Sequence, residues 1–254
     1  MQSATRIRGH GLYPDLVERY GARHDFRTAY PRHFMEAARR ERALFDVRRG
    51  HSREVRRLRG RSGLAVNVGC GPHGRPGWVN IDARPHPGVT CIFDARKRLP
   101  FEDGAVRILF AEHFLEHLDF GEEAPLFLAE CFRCLEPGGV VRLVVPDAGR
   151  YVRACARLDW RALARMRPLR PGRRDAWFGC TVHTPMELLN LVFRQGGEHR
   201  FAYDEPTLAR VLRLHGFRRV AAARPGRSRA AGLALDRPER FSESLYMEAE
   251  RPRR

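Results

Sequence analysis

The sequence predicts an α/β fold built on an open, mostly parallel β-sheet with one binding edge. Two observations carry this expectation. First, Leu64–Val68, Trp78–Ile81, Val89–Phe93, Val106–Phe110 and Val140–Val145 are short, nearly continuous apolar runs, the pattern of strands buried on both faces. Second, each run is followed by a turn or a polar group: Gly69-Cys70-Gly71, Asp82, Asp94, Glu112-His113 and Asp147. In such sheets a ligand lies outside the carboxyl ends of the strands, where strand order reverses. Those closing residues are the first candidates for a site.

At 254 residues the chain is long enough for one such domain with a full core and appendages. No run approaches the ~20 apolar residues that cross a bilayer. The early arginines are not followed by the apolar core of a secretory signal, so the cytoplasm is the expected compartment. Six cysteines are scattered through the chain, as buried cytosolic thiols are, rather than spaced as a disulfide framework. Cys131 and Cys134 form a Cys-x-x-Cys, but no second pair follows at ligand spacing, and Leu126–Leu135 reads as an amphipathic helix. Both read as packing residues. The net charge of +17 invites a nucleic-acid partner. However, Lys97 is the only lysine among the 47 basic residues, and the arginines run the full length. The excess reads as a composition bias, and nucleic acid stays a minority alternative.

Residues 1–62 form a basic, helix-rich extension ahead of a main domain at 63–254. Phe34–Phe45 has apolar residues at helical spacing. Val47–Arg61 is arginine-rich with Val55 and Leu58 as its anchors, and Tyr13-Pro14 and Tyr30-Pro31 break the first part into short pieces. The extension is expected to pack on the main domain with a solvated charged face; an acceptor-binding lid or a nucleic-acid arm is the sharper alternative.

Gly69, Gly71 and Gly74 fit Gly-x-Gly-x-x-Gly, which lets the backbone turn sharply and a ligand approach main-chain N–H groups. Two features argue against a dinucleotide. Pro72, Pro76 and Gly77 oppose the crossover helix whose N-terminus would receive a pyrophosphate. Asp82 follows Gly71 by eleven residues, where the dinucleotide acid comes ~20 on. Asp82 and Asp94, lying along one sheet edge, fit a nucleoside instead: one carboxylate for two ribose hydroxyls and one for an adenine amino group.

In order along the chain, Val66-Asn67-Val68-Gly69-Cys70-Gly71, Asn80-Ile81-Asp82, Asp94-Ala95, Leu99–Gly104, Ala111–Leu118, Leu135–Gly139 and Val145-Pro146-Asp147 resemble the motifs of a class I S-adenosylmethionine-dependent methyltransferase. The short step from Gly71 to Gly77–Asp82 resembles the small predicted-methyltransferase branch, in which the first crossover helix is reduced to a loop. The resemblance covers residues 64–147, with a weaker echo at Gly197–Asp204, Leu214–Phe217 and Ser244–Ala249. It implies a Rossmann-like, mostly parallel sheet of about seven strands, with helices on both faces and the last strand pair antiparallel. It also implies S-adenosyl-L-methionine as the cofactor. Gly69, Cys70 and Gly71 would lie against its methionine part, their amides meeting the carboxylate. Asp82 would hold the ribose, Asp94 and the Ala95 backbone the adenine, and Glu112 and His113 would face the sulfonium and the acceptor. Asn67 stands where the family often has an acid, which predicts a weaker contact to the cofactor's ammonium. The implied acceptor is a small molecule or a sugar-containing, glycan-type compound methylated on O, N or C. A nucleic-acid-directed methyltransferase and a nicotinamide-dependent oxidoreductase are the alternatives.

Glu112-His113-x-x-Glu116-His117 reverses the order of a zincin helix. On a helix His113 and His117 would share a face, but no third ligand is evident and no metal site is expected. Asp119–Leu135 reads as the helix crossing to the fifth strand, stopped by Pro137-Gly138-Gly139. Residues 148–204 form a helical and loop insertion, which the resemblance places near the acceptor site; an ordinary surface excursion with its aromatics tucked in is the alternative. Within it, 175–204 carries Trp177, Phe178, Cys180, His183, Asn190, Gln195, His199 and Tyr203, a polar-aromatic mix of the kind that binding loops use. Glu205–Gly216 is a helix with Pro206 in its first turn, and Phe217–Ala223 and Ser244–Ala249 are the last strands. His113, His117, His199 and Glu112 are the candidate general bases.

Overall fold

The computed structural model describes residues 32–175 and 180–253. The breaks at Tyr13-Pro14 and Tyr30-Pro31, and the aromatics Trp177 and Phe178, lie outside the described residues.

Five parallel strands, β1 (Leu64–Val68), β2 (Val79–Asp82), β3 (Cys91–Ile92), β4 (Val106–Glu112) and β5 (Leu135–Pro146), lie in the order β3-β2-β1-β4-β5. A two-stranded ribbon, β6 (Arg173–Arg174) and β7 (Thr181–Val182), stands apart. β8 (Arg218–Ala222) and β9 (Ser244–Glu250) complete the seven-stranded sheet, with β9 antiparallel to both β5 and β8. This is the expected Rossmann-like sheet. Its order reverses at β1, between β2 and β4, which places the binding crevice above Gly69.

The helices are α1 (Arg32–Arg48), α2 (His51–Leu58), α3 (Glu123–Cys134), α4 (Ala148–Ala156), α5 (Trp160–Met166), α6 (Pro185–Arg194) and α7 (Glu205–Leu214). Strand residues alternate between two cores, as the period of two requires. Val66, Val68, Leu109, Ala111, Val141 and Leu143 pack with Phe127 and Leu128 of α3 and Leu208 and Leu212 of α7. Ile108, Phe110, Val140, Val144 and Tyr246 face the other way, against Leu233. On that face the connections from β1 to β2 and from β2 to β3 are loops, residues 69–78 and 83–90, and the segment 223–241 covers the sheet in their place. A third cluster, including Tyr151, Leu163, Met166, Leu188 and Val192, joins α4, α5 and α6. The 148–204 insertion thus carries apolar packing of its own. Cys131 and Cys134 are fully buried in the main core, as packing residues should be. No helix among the described residues is long and apolar enough to cross a membrane.

The shortened first crossover is braced by two asparagines at paired positions of β1 and β2. Asn67 Nδ2 donates to the His73 carbonyl (3.2 Å), and Asn80 accepts from Arg75 N and donates to Arg75 O, both at 2.8 Å. Gly74 is demanded by a close approach: a Cβ there would lie 2.4 Å from the Gly88 carbonyl oxygen.

Three local expectations are corrected. Of the run Val89–Phe93, only Cys91–Ile92 pairs as a strand. α3 is not stopped by Pro137-Gly138-Gly139; it ends at Cys134, where Leu135 turns extended, and those three residues lie inside β5. Gly138 N donates to the Arg251 carbonyl there (2.8 Å), so the strand pairing claims them. Val55 is not an anchor of α2, being 45 % exposed; Leu58 and Glu54 are the buried residues.

Candidate functional site

Two adjoining cavities open above the carboxyl ends of β1, β2 and β4, and they meet at Gly69, His113 and His117. The first, about 240 Å³, is lined by Gly69, Asp82, Asp94, Ala95 and His113 together with apolar walls from Leu44, Phe93 and Leu118. The second, about 180 Å³, is lined by Asn67, Gly69, Cys70, Gly71, Glu112 and His113, with Arg75, Gln195, His199, Arg237 and Arg240. Every residue expected at the cofactor thus lies on one of these two walls.

The turn after β1 is held by its neighbour strand. Gly69 N and Cys70 N both donate to the Ile81 carbonyl (2.9 and 3.1 Å), and Gly71 N donates to Asp82 Oδ2 (2.8 Å). These three amides are therefore occupied, which corrects the expectation that they meet a ligand carboxylate. Gly69 sits at a φ of 67°, and a Cβ on it would come within 2.6 Å of the Phe114 ring. Its glycine character serves the packing of Phe114 against the turn. Burial pushes the Cys70 thiol up to about 12, so it stays protonated and unreactive.

Asp82 is half-buried at the end of β2. Its second oxygen accepts from Arg84 N (2.8 Å), so each oxygen has one backbone donor and keeps acceptor capacity toward the cavity. Asp94 is more heavily engaged. Arg48 Nε and Arg96 Nε reach it at 2.9 and 3.0 Å, and Arg96 N donates at 3.1 Å. Burial raises its pKa, but the two guanidinium groups outweigh this and hold the carboxyl below its usual range. Any adenine contact through this side chain competes with Arg48 and Arg96. Glu112 receives both the backbone N–H (3.2 Å) and the guanidinium of Arg237. Arg237 also reaches His73 Nε2 at 2.7 Å, and burial followed by this cation holds the His73 pKa down.

His113 has a φ of 53° and is followed by a single 3-10 turn, Leu115–His117. The expected shared helical face of His113 and His117 is therefore not formed. His113 Nε2 lies 2.8 Å from Ser244 Oγ, and its Nδ1 is 3.2 Å from Glu116 Oε1. Burial pushes His113 down to about 3 and His199 down to about 4, and it pushes Glu116 up. The two imidazoles are neutral at physiological pH.

Of the 175–204 segment, Gln195, Glu198 and His199 line the cavities. Sequence reasoning missed Arg75, Arg237, Arg240 and the wall made by Ala43 and Leu44. Arg237 lies in an arginine-rich stretch indistinguishable from others in the chain. Glu116 was legible only as part of Glu-His-x-x-Glu-His.

Residues 80–143 match a family model described as a methyltransferase domain. That stretch, 64 of the 254 residues, is therefore similar to a methyltransferase domain. The matched stretch contains Asp82, Asp94, Ala95, Glu112 and His113; Asn67 and the glycine turn precede it. No curated protein sequence matches the chain. Among solved structures it is similar to a SAM-dependent methyltransferase from Archaeoglobus fulgidus (14 % identity, TM-score 0.43, covering 82 % of this chain and 94 % of that one). A second is the Burkholderia thailandensis 1,6-didemethyltoxoflavin-N1-methyltransferase with bound 1,6-didemethyltoxoflavin and S-adenosylhomocysteine (17 %, 0.42, 97 % and 93 %). A third is the CurJ carbon methyltransferase (14 %, 0.42, 76 % of this chain), of which this chain spans half the length, 50 %.

Proposed function

We propose that the chain is an S-adenosylmethionine-dependent methyltransferase that alkylates an O, N or C nucleophile of a small-molecule or sugar-containing acceptor seated in the second cavity. The observation that carries the reading is the junction at Gly69, His113 and His117: a cavity lined by Asp82, Asp94 and apolar side chains on one side and a polar, arginine-lined one on the other. The residues present fit the cofactor. Apolar walls from Leu44, Phe93 and Leu118 suit a base, and the Asp82 carboxylate retains acceptor capacity for ribose hydroxyls. Bound there, the sulfonium supplies an electrophilic methyl carbon and a leaving group that departs with the electron pair. The chain's own part is alignment of donor and acceptor, worth at most ~11 kcal/mol of barrier. An acceptor proton passes to one of the bases lining the second cavity, with His113, His117, His199 and Glu112 as the candidates. Arg75, Arg237 and Arg240 give that cavity a cationic lining, which favours an acceptor with an acidic group. The unbridged thiols favour a reducing compartment, the cytoplasm.

Calorimetric titration with S-adenosylmethionine and S-adenosylhomocysteine tests the reading, with Asp82→Ala, Asp82→Asn and an NADH control alongside. Micromolar binding of both sulfur nucleosides, lost in Asp82→Ala, is expected. No heat from either in a folded sample would sink the reading, and binding of NADH would establish the oxidoreductase instead. One observation favours a second acceptor class. A groove beside α2 is lined by Arg48, Arg56, Arg59, Lys97 and Arg98. Methyl incorporation into RNA that falls steeply with salt would move the assignment to a nucleic-acid acceptor.

A further inference from the structure

We propose that Glu116, His117 and His199 bind one divalent transition-metal ion of the zinc type at the wall of the second cavity. Glu116 and His117 come from the 3-10 turn after β4, and His199 comes from the loop beyond α6, 82 positions further along the chain from His117. One ligand atom from each, a carboxylate oxygen and two ring nitrogens, lies within 4.8 Å of the others. Around a tetrahedral zinc, donors ~2.1 Å from the ion stand ~3.4 Å apart. Closing the set therefore takes side-chain rotations of roughly an ångström.

Three features favour an ion over a cluster held by hydrogen bonds alone. Glu116 is 1 % exposed, and neither of its oxygens has a partner in hydrogen-bond geometry, although His113 Nδ1 and His199 Nε2 stand 3.2 and 3.9 Å from Oε1; His199 Nδ1 has no partner either. A buried carboxyl in that condition is unfavourable both ionised and protonated, and a bound cation removes the conflict. The second feature is the support behind His117: its Nδ1 lies 3.1 Å from the Glu198 carbonyl. That acceptor fixes the N–H on Nδ1 and leaves the lone pair on Nε2, the arrangement that metal-bound imidazoles adopt. The third is the donor set. Two imidazoles and one carboxylate suit zinc or cobalt and leave a coordination position open. His117 and His199 line the second cavity, so that position faces the acceptor space. His113 Nδ1, 3.2 Å from Glu116 Oε1, is the nearest further donor. An ion held there would polarise an acceptor hydroxyl or amine and ease loss of its proton. This consequence rests on the methyl-transfer reading; binding of the ion does not.

The test uses the full chain, stripped with chelator, then titrated with Zn²⁺ by calorimetry and with Co²⁺ by visible absorption. One ion per chain is expected, with cobalt bands of four- or five-coordinate geometry. Glu116→Gln and His199→Gln, which nearly keep side-chain volume, should each weaken binding by roughly tenfold or more. S-adenosylhomocysteine binding in the same samples reports that the variants are folded and reads the cofactor assignment separately. A chain that binds S-adenosylhomocysteine but takes up neither metal overturns the site and leaves the transfer reading standing. Zinc bound equally well by both variants is held elsewhere among the other histidines and cysteines, and overturns it too.

Discussion

A Cβ on Gly69 meets two obstacles, a left-handed backbone at φ 67° and the Phe114 ring 2.6 Å away. Gly71 meets only the first: its φ is 50°, and nothing lies within 4 Å of a Cβ there. The left-handed conformation costs an L-residue ~1–2 kcal/mol, and forcing an atom into a packed site adds ~1–3 kcal/mol. Gly71→Ala should therefore lose ~1 kcal/mol in urea denaturation and Gly69→Ala about twice that or more. Equal losses would mean that Phe114 yields freely and the ring is not what requires glycine. The two residues are identical as letters in Gly-x-Gly, so the sequence could not separate a glycine needed for packing from one needed for the turn. The same limit applies to Asp94. Its place on the wall of the first cavity was readable from the apolar run before it. Its engagement by Arg48, 46 positions upstream, was not, because any of many arginines could have reached it.

At the scale of elements, α1 and α2 are tied to the edge of the first cavity through that same carboxylate. Arg48 at the end of α1 binds Asp94, His51 Nε2 accepts from Asp94 N (3.2 Å), and the His51 ring stacks on Phe93 at 3.8 Å. Arg96 extends the clasp to Glu41 of α1 and Glu123 of α3, at 2.9 and 3.1 Å. Arg48→Ala should lower stability by ~1 kcal/mol, a charge-assisted bond discounted because Arg48 is partly exposed. The pH dependence follows from the depressed pKa of Asp94. Its contribution is complete above the unfolded carboxyl pKa of ~3.9 and is lost as pH falls through the lower folded value. The stability difference between the native chain and Arg48→Ala should stay constant from about pH 8 to 5 and shrink below about pH 4. Melting curves across that range check it, and a difference that vanishes near neutrality would exclude the Asp94 clasp as its source. Elements were legible where local chemistry dictates them. Pro72, Pro76 and Gly77 announced the missing crossover helix. Pro137-Gly138-Gly139 misled because a distant partner, the Arg251 segment, draws those residues into a strand. His199 joins Glu116 and His117 only through the tertiary fold, and no spacing rule reaches across that interval.

At the scale of the molecule, a single buried arginine ties the sheet to the segment that covers its second face. Arg142 of β5 is fully buried on the face that otherwise carries Val140 and Val144. Its guanidinium bonds both oxygens of Asp236, Glu248 Oε1 of β9 (2.7 Å), and the carbonyls of Arg227 (3.1 Å) and Arg224 (3.2 Å). All five of its donors are occupied. Asp236 Oδ2 also accepts from Gly226 N (2.7 Å), and Glu248 Oε2 from Arg229 N (3.2 Å). Arg142→Met would leave Asp236 buried without its cation and Glu248 with Arg229 Nε (3.2 Å) alone, a loss of ~3–5 kcal/mol in chemical denaturation. Adding Asp236→Asn and Glu248→Gln should recover part of it, because the penalty lies in the uncompensated charges. The loss should also divide the two cavities. Asp236 adjoins Arg237, whose N–H and guanidinium hold Glu112, and Arg237 and Arg240 wall the second cavity. No residue of 224–241 lines the first cavity. In Arg142→Met, well below its melting temperature, S-adenosylhomocysteine affinity should remain within about threefold of native, under ~1 kcal/mol, while methyl transfer falls by tenfold or more. Parallel loss of both would show that the network supports the whole crevice. Loss of neither would show that 224–241 holds its place without the buried arginine.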